Sequence, residues 1–203
     1  MSQVHIENID VVRIDVGGGV SIPKSWDAVA AGEPNVPGAI RVHVVFDERL
    51  RRTAAASVRL DRAGEGDEVT SAALREVRVQ YVVQHSSVRL VGVTRRDGKP
   101  MSLRNYLDEL KSRSERTDQE TLLEAVTLYR VAATVNLAPL KLVSDQLGVS
   151  VSTATRWMAR ARDAGLADDL ITRETYNRIR AGEDQQAAPI ASRSNPSGPA
   201  IGI

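Results

Sequence analysis

LKLVSDQLGVSVSTATRWMARARDAGL, residues 140–166, is the most informative stretch of the chain. Two helical runs meet at Gly148, where a helix can close through a left-handed residue that glycine adopts without steric cost. Ser150 is placed to cap the second run, its hydroxyl accepting a free amide of the first turn. Ser144 is small where two helices joined by so tight a turn must cross closely. Val143, Leu147, Val149, Ala154 and Trp157 occupy the positions that must bury against each other and against a preceding helix.

That preceding helix is legible upstream. Thr117-Asp-Gln-Glu120 is a capping box, in which threonine and glutamate each satisfy a free amide at the helix start. Leu122, Val126, Tyr129 and Ala133 then fall on one stripe of a helix ending near Asn136. Pro139 suits the first turn of the next helix, where its missing amide is not needed. Residues from about Thr117 to Leu166 therefore form a three-helix unit.

On a helical wheel of about 100° per residue, Ala154, Trp157, Met158 and Ala161 of the third helix cluster on one side. Ser152, Arg156, Ala159 and Asp163 lie opposite, flanked by Thr155 and Arg160. With its glycine turn, the small residue four positions before it and the buried positions after it, the segment resembles the helix-turn-helix of bacterial and phage transcription regulators. The resemblance covers residues 117–166 and leaves the first hundred untouched. It implies binding of double-stranded DNA, with the third helix in the major groove and its N-terminal residues reaching base edges first. The expected DNA-binding residues are Ser150, Ser152, Thr153, Thr155, Arg156, Arg160 and Arg162. Arg156 suits a bidentate contact to guanine, Ser152 and Thr155 bases or phosphate, and Arg160 and Arg162 the backbone. The competing reading is a solvated helix face on an ordinary three-helix core.

The first hundred residues read mainly as strands. Val12, Ile14 and Val16 alternate with polar residues, as do Val42, Val44 and Phe46, and then Val58 and Leu60. DERLRR between the last two runs is short and polar enough to turn a hairpin. A helix is expected from about Ser71 to Gln84 and a strand over Ser87–Thr94. RRDGKP, residues 95–100, is a turn-rich break, after which Leu103, Leu107 and Leu110 share the face of a short helix. The expected organisation is α+β: a β-rich N-terminal domain over 1–97, a helix-turn-helix domain over 101–181, and a disordered tail over 182–203, rich in Pro, Gly, Ser and Ala.

Composition narrows the function. The chain carries 27 basic and 26 acidic residues, so DNA affinity must come from a local basic surface. Arginine outnumbers lysine 23 to 4, a bias that a GC-rich genome produces and that also suits phosphate and guanine recognition. The absence of cysteine excludes disulfides and thiolate chemistry. No apolar run is long enough to span a membrane, and MSQVHIENID lacks the layout of a signal peptide, so a cytoplasmic location is expected.

Three motifs are set aside. Gly18-Gly-Val-Ser-Ile-Pro-Lys24-Ser25 comes close to a phosphate-binding P-loop, but Pro23 removes an amide where the second glycine must donate one. Only 22 positions separate Ser25 from Asp47 at the end of VHVVFDE, too few for the intervening elements of an NTPase. The Gly17–Gly19 run is read as a turn or bulge. His5, His43 and His85 show no ligand spacing, so no metal is expected. Ser2, Ser21 and Ser25 lack the Tyr-x-Arg-Val-Ser context of a serine recombinase. No enzyme activity and no cofactor are expected. The expectation is a sequence-specific DNA-binding regulator of bacterial or phage origin, acting as a homodimer. The alternative is an assembly adaptor resembling a phage small terminase subunit or a protein–protein scaffold.

Overall fold

The computed structural model describes residues 3–95, 98–113, 115–171 and 173–182. The expected tail beyond 182, and Ser2, lie outside them. The chain divides into two compact units, Met1–Ile171 and Thr172–Ile203, so the expected break at 95–100 falls inside the first. Described by itself, the second unit contributes one helix, Arg173–Ala181, with Glu174 in its first turn.

The first unit is α+β, strands first and helices after. One antiparallel sheet has the order β1 (Gln3–Glu7), β4 (Ser25–Ala31), β5 (Ala39–Asp47), β6 (Arg52–Asp61). The other runs β2 (Arg13–Gly17), β3 (Val20–Pro23), β7 (Gly92–Thr94), β8 (Pro100–Ser102). In β5 the alternation is carried through: Ile40, Val42, Val44 and Phe46 are buried between half-buried neighbours. The DERLRR hairpin forms as expected. Asp47 accepts the amide of Leu50 at 2.9 Å, and Arg51 takes a left-handed φ of 52°. Gly17–Gly19 is indeed a turn with a bulge, all three glycines having positive φ. The P-loop-like stretch runs through β3 and β4 rather than into a helix.

Three expectations need correction. Val12 precedes β2 and is exposed, and Val58, though within β6, is left 45% exposed. His43 opposes Ser57 while Val44 opposes Ala55, so Ala56 bulges, and Val58 and Leu60 then share the face of Val42 and Ile40, though only Leu60 packs against the core. The helix expected from Ser71 to Gln84 is two: α1 (Ser71–Glu76), capped by Thr70, and α2 (Val79–Leu90). The strand after it begins only at Gly92. Ser86 and Ser87 stay helical because their hydroxyls bond back to the carbonyls of Val82 and Val83, at 2.9 and 2.6 Å. Val82 and Val83 meanwhile bury the helix against the sheet.

α3 (Leu103–Ser112) buries Leu103 and Leu110 with Leu107 half-buried. α4 (Asp118–Thr134) starts at the expected capping box. It is buried on more than the expected stripe. Leu122, Ala125, Val126 and Leu128 belong to the core of the helical half, while Val131 and the following Val135 belong to the core of the sheet half. α4 thus runs out of one core and into the other. Its end is fixed by polar contacts to β6: Thr53 donates to the Thr134 carbonyl at 3.2 Å, and the Asn136 amide donates to the Thr53 carbonyl at 2.8 Å. About one turn before that end, buried Arg130 pairs with Asp169 and lies under Gly18, where an added Cβ would collide with the guanidinium. Among the described residues, no helix is long and apolar enough to cross a membrane.

Candidate nucleic-acid interface

α5 (Pro139–Leu147) and α6 (Val151–Asp163) complete the helical half. Pro139 occupies the first turn of α5. Gly148 closes it at φ 65°, ψ 34°, its amide returning to the Ser144 carbonyl. The Ser144 hydroxyl crosses the turn and donates to the Val149 carbonyl at 2.6 Å, which accounts for a small polar residue there. Ser150 caps α6, accepting the Thr153 amide at 3.1 Å. Between the two helices only Gly148, Val149 and Ser150 intervene, so α6 is held rigidly against α5 and α4.

The inward face of α6 is Ala154, Met158 and Ala161, each at most 1% exposed, packed with Val143, Ala125 and Leu128. Trp157 was expected among the fully buried residues and is only half-buried, at the margin of that cluster. The buried residues set the core direction between Ala154 and Ala161, and Trp157 falls to its flank. Leu147 and Val149 are likewise half-buried, while Val143 is fully enclosed.

The expected contact residues gather on and beside the opposite face. Ser152, Thr155, Arg156, Arg160 and Arg162 are exposed, as is Ser150, while Thr153 is half-buried. Their hydroxyls are partly committed within the helix. Ser150 Oγ lies 2.8 Å from Ser152 Oγ and 3.0 Å from Thr153 Oγ1, and Thr155 donates to the Val151 carbonyl at 2.9 Å. Among the described residues, Arg156 and Arg162 have no hydrogen-bond or ion-pair partner. Arg160 does: its Nη2 is 3.3 Å from Asp118 Oδ2 at the start of α4. Sequence reasoning missed that pairing, although the capping box had already placed Asp118 at the first turn of α4. It also missed Val151, 50% exposed at the start of α6 beside Thr155. Its position ahead of Ala154, the first inward residue of the helix, was the available signal.

The arrangement is a convex helix face with small residues (Ser152, Ala159) around unpaired guanidinium groups. It can enter a groove and donate hydrogen bonds, but it holds no nucleophile–base pair. Among the described residues, no three His, Asp or Glu side chains come together as a metal site would need. Comparison of the chain with protein-family models, with curated proteins and with solved structures gave no match.

Proposed function

We propose that α4–α6 is a helix-turn-helix unit that binds double-stranded DNA in a sequence-specific way, in the manner of a bacterial or phage transcriptional regulator in the cytoplasm. One observation carries this reading: α6 buries only small or flexible residues inward and presents Arg156 and Arg162 outward without an intramolecular partner. An arginine held ready on the first two turns of a major-groove helix fits the bidentate pattern of guanine O6 and N7. Arg160 and Arg162 hold the phosphate backbone, and Ser152 and Thr155 add short polar contacts. The β-rich half serves as the dimerisation element, since two half-sites about one helical turn apart raise affinity through effective concentration.

A second reading, an assembly adaptor, draws support from Asp118 and Asp163, which lower the positive field of the same face. Selection of bound sequences from random duplex DNA with the purified protein separates the two. The regulator reading expects a sharp, two-fold symmetric consensus and a dimer by sedimentation. A closed ring of many subunits with no consensus would overturn it in favour of the adaptor.

A further inference from the structure

A cavity of about 490 Å3 opens where the β2–β3 hairpin tip and β7 meet α3 and α4. Its volume lies in the range of small-molecule sites, and it sits where the sheet half meets the helical half. The charged groups on its wall are unequally matched. Glu124, 7% exposed at its side chain, is held at 2.6 Å by Arg113 and 2.7 Å by Arg116. That pair of contacts locks α4 to the end of α3. Glu109 instead stands 3.5 Å from Arg95 and 3.6 Å from the other terminal nitrogen of Arg113, beyond the length of a good charge-assisted hydrogen bond. One carboxylate is thus shared loosely between two guanidinium groups that face the same space. Tyr106 adds a hydroxyl beside Thr127. Its burial, reinforced by Glu124, pushes its pKa up to about 12, so it stays a neutral hydrogen-bonding group. Val93, Leu110 and Leu123 supply apolar wall, and Leu123 is one of the exposed large hydrophobic residues.

We propose that this cavity binds a small organic carboxylate with an apolar body. The ligand's carboxylate takes the place of Glu109 on Arg95 and Arg113, and its body lies along Leu110, Leu123 and the Tyr106 ring. A cation is disfavoured, because both oxygens of Glu124 are engaged by Arg113 and Arg116, and Glu109 lies between Arg95 and that same Arg113. An uncharged ligand accepts weaker hydrogen bonds from the two guanidinium groups, because it lacks the charge that strengthens them. Inorganic phosphate satisfies them but leaves the apolar wall wet. The site stands independently of the DNA reading and is tested on the protein alone.

The experiment is titration calorimetry of the full chain with benzoate, phenylacetate and hexanoate, each beside its primary amide. At least one carboxylate is expected to bind at a single site, roughly tenfold or more tighter than its amide, because only the charged form is gripped by the arginines. Glu109→Gln removes the internal competitor while sparing the Glu124 contacts. It should tighten carboxylate binding by about threefold, the scale of a loose exposed ion pair, and leave the amide unchanged. A merely structural ion pair would give no such gain. Arg95→Gln should weaken the carboxylate alone, and Leu123→Trp should fill the cavity and abolish binding, with thermal unfolding confirming that each variant folds. If no carboxylate outbinds its amide, or if phosphate binds as well as any of them, the proposal fails. It also fails if Glu109→Gln and Arg95→Gln leave the affinity unchanged.

Discussion

The two cores of the first unit are built from different side chains. The sheet half is filled by branched and aromatic residues: Val20, Ile22, Ile40, Val42, Val44 and Trp26, all at most 1% exposed. The helical half is filled largely by residues that are small or not branched at Cβ: Ala125, Ala154, Ala161, Ala167, Met158 and Leu128. β-branched side chains pack well on a pleated surface, whereas three helices joined by tight turns approach closely only if the residues between them are small. The sheet half therefore buries more apolar area per residue, and the helical half holds its geometry by turns and caps instead. α4 belongs to both, so a loss of stability in the sheet core reaches the proposed DNA-binding unit through Val131 and Val135.

The largest expected effect tests this contrast with the two tryptophans. Trp26 is fully enclosed, and its indole N–H donates to the buried Ser86 hydroxyl at 3.0 Å. Trp26→Ala is expected to cost about 3–5 kcal/mol, as a large truncation that also removes a buried hydrogen bond. Trp157, half-buried at the edge of a core of alanines, is expected to lose about 1–3 kcal/mol on truncation, since less area is removed from packing. Chemical denaturation of both variants measures the difference. Equal losses would mean that the helical core leans on Trp157 as heavily as the sheet leans on Trp26.

The same contrast explains what the sequence revealed. Caps and turns are local chemistry, so Thr117 with Glu120, Pro139, Gly148 and Ser150 could each be placed from a few neighbours. β5 was equally plain, because one buried face imposes a strict alternation. Ser86 and Ser87 misled, since serine favours helix ends unless its hydroxyl finds a carbonyl one turn back, which depends on their burial under Trp26 and Thr53. β6 misled because Val58 stays exposed although it opposes the buried Val42, so lying on the inward face did not bring burial. Within the candidate interface, exposure followed from the wheel. The Arg160–Asp118 pair did not, because it joins residues 42 positions apart through the packing of α6 on α4. The cavity beside Tyr106 was likewise out of reach, its walls coming from four separate elements.

A second test separates stability from binding on the helical side. Arg156 is exposed and unpaired, so Arg156→Ala is expected to leave the melting temperature unchanged. Affinity for the selected site should fall by about 1–3 kcal/mol, with discrimination relaxed at one base pair. Fluorescence anisotropy with matched and single-substituted duplexes reads both quantities. A folded variant with unchanged affinity and preference would remove α6 from the groove.

Gly148 gives a smaller and purely conformational effect. A Cβ there meets no atom within 4 Å, so nothing clashes, but φ 65° remains unfavourable for alanine. Gly148→Ala is expected to cost about 1 kcal/mol in stability, and Gly148→Asn less, because asparagine tolerates the left-handed region. A cost well above that in denaturant titrations would show that the turn is held by more than its backbone conformation.

The smallest expected effect lies at Asp118, where stability and binding are predicted to move in opposite directions. Its side chain is 90% exposed, yet it sits at the first turn of α4 and 3.3 Å from Arg160. A negative charge at a helix N-terminus contributes about 0.3–1 kcal/mol, so Asp118→Asn is expected to lower stability by no more than that. The same change frees Arg160 and removes a charge that repels phosphate. Affinity for DNA of any sequence should therefore rise, with the slope of log K against log salt steepening by up to about one unit, the signature of one added phosphate contact. Arg160→Ala should do the reverse, weakening all sequences alike and flattening the slope by about one. In the double variant the gain from Asp118→Asn should vanish, since the aspartate acts through the arginine. If Asp118→Asn strengthens binding equally with Arg160 absent, the aspartate acts on the phosphates directly. If neither change moves the slope, this flank of α6 does not touch the DNA backbone.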